Sequence, residues 1–438
     1  MIRSIFSILL ILCSLSSTAQ NLAFPTAEGF GRYTRGGRNG ILYKVTNLND
    51  SGPGSLRYGI ELREPRIIVF EVSGIIDLKS ELKLKRDYIT ILGQTAPEDG
   101  ITIRGNKFTI RANEVVIRYI KFRLGDLNEL ESDALECKDA KNVIIDHVSV
   151  SWAVDENASF YRNENFTLQW SIISEALNKS VHDKGAHGYG GIWGGKKVSF
   201  HHNLLANNAS RNPRFCGSRP SLKNIDSIVD FRNNVIYNWI NNSAYGGEKG
   251  SYNIVNNYYY PGVDTKKSVR NTIVTPYLEF GDFYIEGNIV HQNAEISKDN
   301  WNGGVHIDHE DEGKGFPTPL MKPLEIQNNI RTQSAQAAFK IVLEQSGSSF
   351  RRDAIDQRVI DEIKNPTTAT KIINSQEEVG GWIISKITEE NAEDTDGDSM
   401  PDWWEKQMNL DPNLNDAMQT TLHPFYNNIE VYSHHILN

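Results

Sequence analysis

Two arginines flank a proline in Ser210-Arg211-Asn212-Pro213-Arg214, a segment that follows the apolar, strand-like run Val198-Ser199-Phe200-His201-His202-Asn203. The proline ring fixes φ at this corner, so the two guanidinium groups stand in a defined relation. Guanidinium groups grip carboxylates through paired hydrogen bonds, which is how an anionic, carboxylate-bearing polymer would be held. Just upstream, His182 to Gly195 carries His187, Tyr189 and Trp193 among glycines, and Tyr189 and Trp193 there suit stacking against sugar rings. A second chemical signal lies near the end of the chain. Asp394, Asp396, Asp398, Asp402 and Glu405 occupy places 1, 3, 5, 9 and 12 of a twelve-residue loop, the oxygen-donor set of a hard Ca2+ ion. Glycine stands at place 4 and Ser399 at place 6, a departure from a strict EF-hand. His306 to Glu312 is rich in metal-capable groups but has no fixed ligand spacing, and reads as an acidic solvated loop. No phosphate-cradling loop, HExxH motif or nucleophile elbow is present.

The elements that must position these groups are repetitive. Phe200-His201-His202-Asn203, Phe231-Arg232-Asn233-Asn234, Ile254-Val255-Asn256-Asn257 and Ile285-Glu286-Gly287-Asn288 share one frame, an apolar residue with asparagine three places later, followed by more apolar residues. The four asparagines recur at spacings of 23 to 31 residues, which predicts one coil of a parallel β-helix per unit, with Asn203, Asn234, Asn257 and Asn288 stacked as an amide ladder. Leu168-Gln169-Trp170-Ser171 and Ile145-Asp146-His147-Val148 are weaker members, and Arg66–Val72, Tyr88–Ile91 and Val115–Ile120 read as further strands. An antiparallel sandwich is the competing architecture. His147, His201 and His202 fall inside this pattern and are expected to stack rather than to catalyse.

The chain has 438 residues and a formal charge of -9, so a general polyanion-binding surface, and with it nucleic acid, is excluded; an anionic ligand must be met locally. Residues 1–20 have the basic tip, apolar stretch and small-residue exit of a cleaved leader, too short for a membrane span, which predicts a secreted or periplasmic product. Cys137 and Cys216 then remain, either paired or as free thiols. The β-helix is expected over 21–335. A partly helical extension is expected over 336–388, with Phe350, Ile355, Val359 and Ile363 at near-helical spacing, and an acidic linker with the calcium module over 389–438.

Gly54-Ser55-Leu56-Arg57, Ile67 to Gly74, Ile91-Leu92-Gly93-Gln94, Ser132-Asp133-Ala134-Leu135, Val143 to His147, His201-His202-Asn203 and Arg211-Asn212-Pro213-Arg214 occur in the order seen in pectate lyases. Over roughly residues 25 to 300 the chain resembles the first polysaccharide lyase family, and its terminal loop is similar to the short acidic calcium repeats of many secreted bacterial enzymes. The resemblance implies a monomeric all-β protein, a right-handed parallel β-helix, that cleaves de-esterified pectin by β-elimination with Ca2+ bridging enzyme and substrate. It implies Glu131, Asp133 and Asp155 as calcium ligands and Arg211 as the base. The family's second carboxylate four places after Asp155 is replaced by Ser159, which Glu156 or Asn157 would offset. The family's further arginine falls at Cys216, leaving Arg214 or Arg219 for that substrate contact, and a substrate lysine falls at Asn178 or Lys179, with Lys179 the candidate. Two other readings stand beside this one: a lyase for methyl-esterified pectin with little need of calcium, and a non-catalytic β-helical protein that binds uronates.

Overall fold

The computed structural model describes residues 21–215, 227–383 and 392–438; the expected leader, Cys216, Arg219 and most of the expected linker lie outside the described residues. Every pairing between the named strands is parallel, as in a β-helix, and the sandwich alternative falls away. Each coil contributes three short strands. Stack A includes Arg66–Phe70, Ile89–Leu92, Val115–Arg118, Lys141–Asp146, Ile228–Arg232, Ser251–Val255 and Asp282–Glu286. Stack B is a nine-stranded sheet running from Gly74–Asp77 to Ile289–Val290. Stack C includes Leu82–Leu84, Phe108–Ile110, Leu135–Lys138, Arg214–Phe215, Ala244–Gly246 and Val274–Pro276. Two long strands, Ala158–Gln169 and Ile192–His201, run through both C and A and join them into one sheet.

Parallel pairing in register puts like residues above like. Ile68, Ile91, Ile117, Ile145, Leu168, Phe200, Phe231, Ile254 and Ile285 form one buried column along the inside of stack A. Each such side chain contributes about 1.5–3 kcal/mol by leaving water.

The amide ladder forms as expected. Asn234 Oδ1 accepts from the backbone N–H and the Nδ2 of Asn203, both at 3.0 Å, while its own Nδ2 donates to Phe200 O and Asn257 Oδ1. The same pattern passes through Asn257 and Asn288 to Asn300. Ser171 is the rung above Asn203: its backbone N–H donates to Asn203 Oδ1, and its own hydroxyl accepts from Val148 N–H. The left-handed residue at each rung is the one before the ladder asparagine: His202, Asn233, Asn256 and Gly287. Higher in the stack the same corner holds Tyr119, His147 and Trp170, and the rings pile up at centroid distances of 4.7 Å (Tyr119–His147), 6.1 Å (His147–Trp170) and 4.2 Å (Trp170–His202). His147 and His202 are therefore stacking residues, while His201 meets His202 edge-on.

Three segments cover the outside of stacks A and B. Residues 22–40 lie across A, where a Cβ at Gly37 would sit 1.8 Å from the Arg66 carbonyl oxygen, so only glycine fits that approach. Six α-helices occur among the described residues: α1 (Leu56–Glu61), α2 (Ala294–Lys298), α3 (Ala335–Gln345), α4 (Ala354–Lys364), α5 (Asp402–Met408) and α6 (Asn428–His435). The expected helix is α4, begun by an Asp353 cap; with α3 it buries Val342, Val359, Ile360 and Ile363 against Leu204, Val235 and Tyr237 of stack B. Arg123, fully buried, pins its start through Asp353 and Asp356, both at 2.9 Å. Residues 392–438 do not hang free from a linker: Met400, Trp404, Ala417 and Ile429 pack on Ile67, Val69 and Leu92 of stack A.

Asn234→Ala is expected to lower the unfolding free energy by about 1–3 kcal/mol for each Asn203 donor left buried without a partner. Denaturant titration of the variant checks this, and a stability equal to the parent's would remove the ladder from the account.

Candidate active site

The turns that lead from stack B into stack C carry the charged residues. Asp133 precedes the strand at Leu135, Asp155 and Glu156 the strand at Ala158, Tyr189 the strand at Ile192, and Arg211 the strand at Arg214. Backbone bonds tie these turns rung to rung: Ala134 N–H donates to Glu156 O, Asn157 N–H to Tyr189 O, and Gly190 N–H to Ser210 O. Residues far apart in sequence are thereby stacked at the inter-strand spacing of about 4.8 Å.

Carboxylate oxygens of Asp133, Asp155 and Glu156 converge within 4.8 Å of one another. Burial pushes the Asp133 carboxyl up to about 7; Lys107, 3.4 Å away, opposes the shift, and Asp155 and Glu136 add to it. Asp155 Oδ1 is buried and lies 3.0 Å from His187 Nε2, without hydrogen-bond alignment. Like charges so placed fit a hard cation held by oxygen donors. Glu156 also forms an ion pair with Arg211, whose guanidinium carbon stands 4.2 Å over the Tyr189 ring. His182 and His187 stack at 3.8 Å beside Asp155, and burial lowers the His187 imidazole.

Trp193 and Glu131 are placed otherwise than expected. Trp193 is not in a sugar-stacking loop. It lies in the strand Ile192–His201, fully buried, its indole N–H donating to Ala158 O at 2.9 Å and its ring 4.6 Å from Phe200. Glu131 is not brought to the cluster: its carboxylate accepts from Asp183 N–H and lies 3.6 Å from His182 Nδ1. Arg214 is buried, donating to Phe215 O at 2.7 Å and pairing with Glu248 at 2.5 Å. Lys179 is exposed, and its ammonium forms no ion pair with the described residues. Ser159 is buried within its strand, and Asn157 is spent on Ser174 O and Asn208 Oδ1, so of the two residues able to offset Ser159 only Glu156 faces the cluster. Lys107 escaped the sequence reading, since nothing in its neighbourhood marks it as the partner of Asp133 and Glu136.

At the far end, Asp394, Asp396 and Asp398 form one group and Asp398, Glu405 and Asp416 another. Asp402 belongs to neither group; its carboxylate accepts from Thr395 N–H at 2.8 Å and Thr395 Oγ1 at 2.9 Å. Burial, with the neighbouring carboxylates adding, raises Asp396 to about 6 and Glu405 to about 7. Cys137 is a buried free thiol among the described residues, and its partnership with Cys216 lies outside them.

The fold is a parallel β-helix with a carboxylate and guanidinium corner where stack B turns into stack C. No family model matches the sequence. The probable pectate lyase C of Aspergillus fumigatus is 35% identical over 442 residues, 98% of this chain and 97% of the relative, and that of Emericella nidulans is 34% identical over 447 residues, 99% and 97%. Among solved structures the cedar pollen allergen jun a 1 superposes with a TM-score of 0.54 at 18% identity, covering 73% of this chain and 92% of that one. The thermostable pectate lyase PL 47 gives 0.51 at 13%, covering 75% and 98%. The chain belongs to the pectate lyase family.

Trp193→Ala is expected to cost about 3–5 kcal/mol of stability, as for other buried aromatics. Tyr189→Ala, by contrast, should leave the unfolding transition nearly unchanged while lowering lyase turnover, because it removes the ring under Arg211. Paired denaturation and turnover measurements check this; the reverse pattern would put Trp193 back at the site.

Proposed function

We propose that the chain cleaves de-esterified galacturonan by Ca2+-assisted β-elimination and that Arg211 removes the C5 proton. The observation that carries this reading is the convergence of Asp133, Asp155, Glu156 and Arg211 from successive coils on one corner of the β-helix. The fungal relatives named as pectate lyases point to the same substrate. In the reaction the C5–H electron pair becomes the C4–C5 double bond and the oxygen on C4 leaves with the neighbouring sugar. Asp133, Asp155 and Glu156 would hold the ion, which offsets the charge of the uronate carboxylate and so makes the C5 proton easier to remove. Tyr189 backs the Arg211 guanidinium and fixes its plane. Glu156 faces both Arg211 and the two aspartates, so the negative charge it lends to one it withdraws from the other. The leader-like residues 1–20 support an exported enzyme. Glu156 at the cluster favours the calcium-dependent reading over the one for esterified pectin.

Arg211→Lys is expected to reduce the formation of unsaturated uronides from polygalacturonate by at least about 100-fold with an unchanged circular-dichroism spectrum. Glu156→Gln should raise the Ca2+ concentration needed for half-maximal turnover. Near-normal turnover in the first variant would mean that another group is the base.

A further inference from the structure

The carboxylates at the end of the chain do not match the twelve-residue register in which the sequence presents them. Asp394 accepts backbone N–H groups of Gly397, Asp398 and Ser399, and Asp398 those of Met400, Asp416 and Ala417, which folds the loop so that its acidic groups face inward. Place 9 stands apart, since Asp402 is in neither carboxylate group and bonds Thr395 and Lys406 instead. A carboxylate from beyond the loop, Asp416, comes in beside Asp398 and Glu405. Glu405 is fully buried at the start of α5, and neither of its carboxylate oxygens has a hydrogen-bond partner among the described residues; Asp396 Oδ2 is likewise buried and unpartnered. A buried carboxylate is ordinarily paired or coordinated to metal, and here its nearest charged neighbours are other carboxylates. The nearby lysines are engaged elsewhere: Lys44 with Glu71 at 2.6 Å and the Gly397 carbonyl at 2.9 Å, Lys406 with Asp402.

We propose that Asp394, Asp396, Asp398, Glu405 and Asp416 hold one Ca2+ ion that fastens residues 392–438 onto stack A, with Asp402 outside its coordination sphere. All the donors are oxygens, and an irregular set of carboxylates from a loop, a helix and a following turn suits Ca2+, which accepts six to eight oxygens in flexible geometry, better than Mg2+ with its strict octahedron. The ion lies beside the contact it secures. Met400 and Trp404, inside the loop and the helix, and Ala417, next to Asp416, are among the residues that cover Ile67, Val69 and Leu92. Arg38 closes the far end of the segment on Glu430 with two bonds of 2.9 Å. Binding free energy at such a site is spent on folding the segment that supplies the ligands, so the ion stabilises the first coils of the β-helix and takes no part in the elimination. This inference is independent of the reaction assigned to the chain.

The test uses the full chain and Tb3+, a Ca2+ substitute whose luminescence is excited through nearby indoles such as Trp404. Indole-sensitised luminescence, reversed by Ca2+, should persist in Asp402→Asn and in Asp155→Ala. It should fall at least tenfold in Glu405→Gln and in Asp416→Asn. Ca2+ should raise the thermal unfolding midpoint of Asp155→Ala but not of Glu405→Gln. Should Glu405→Gln fail to fold, Asp416→Asn and the milder Asp396→Asn report the same loss. Unchanged Tb3+ affinity in both Glu405→Gln and Asp416→Asn would overturn the proposal. So would loss of binding in Asp402→Asn with retention in Asp416→Asn, which would restore the linear loop register.

Discussion

Backbone hydrogen bonding between successive coils, with every residue held above its counterpart in the coil before, is the constraint on which the rest of this structure depends. Parallel strands spaced at about 4.8 Å leave no freedom to slide by one residue without turning the core column outward. The asparagine ladder enforces that register at one corner from inside, because each amide oxygen accepts from the preceding coil's backbone while its nitrogen donates to a carbonyl of that coil and to the following coil's amide oxygen. A sequence that repeats at irregular intervals of 23 and 31 residues can therefore place its variable lengths in turns while its strands stay aligned.

The active corner inherits its precision from this register. Asp133, Asp155, Glu156, Tyr189 and Arg211 come from turns of different length, yet each enters stack C at a fixed height because the strand that follows it is pinned. The consequence is a concentration of like charge that the chain balances only in part, with Lys107 beside Asp133 and Arg211 beside Glu156. A folded protein that tolerates a half-buried carboxylate cluster on a rigid scaffold has reserved that place for a cation or a ligand group. The terminal segment likewise buries Glu405 without a hydrogen-bond partner among the described residues.

Much of this was legible in the sequence because stacking repeats leave a periodic trace. The four ladder asparagines announced the coil, and Arg211 stood out because a proline-bounded pair of arginines at a coil boundary is chemically conspicuous. What could not be read depends on the depth and direction of side chains. Trp193 sits among glycines, a loop signature, but Gly195 continues a strand and the indole turns inward to Ala158. Spacing alone put Asp402 in a calcium loop, whereas the first turn of α5 directs it to Thr395, and Asp416 joins through a turn that no linear motif encodes. Glu156 and Asn157 were equivalent candidates until the strand at Ala158 fixed which of them faces outward. Lys107 is one coil above Asp133, a distance of 26 positions in sequence.

The central claim is that the carboxylate and guanidinium corner performs a calcium-dependent elimination on an uncharged-ester-free uronate chain. The most direct measurement is the ultraviolet absorbance of unsaturated products formed by the unaltered protein from polygalacturonate, first in Ca2+, then in excess chelator, then with Ca2+ restored. The account predicts absorbance growth that stops on chelation and returns with the ion. Equal rates in chelator, or chain cleavage that yields only saturated ends, would contradict it.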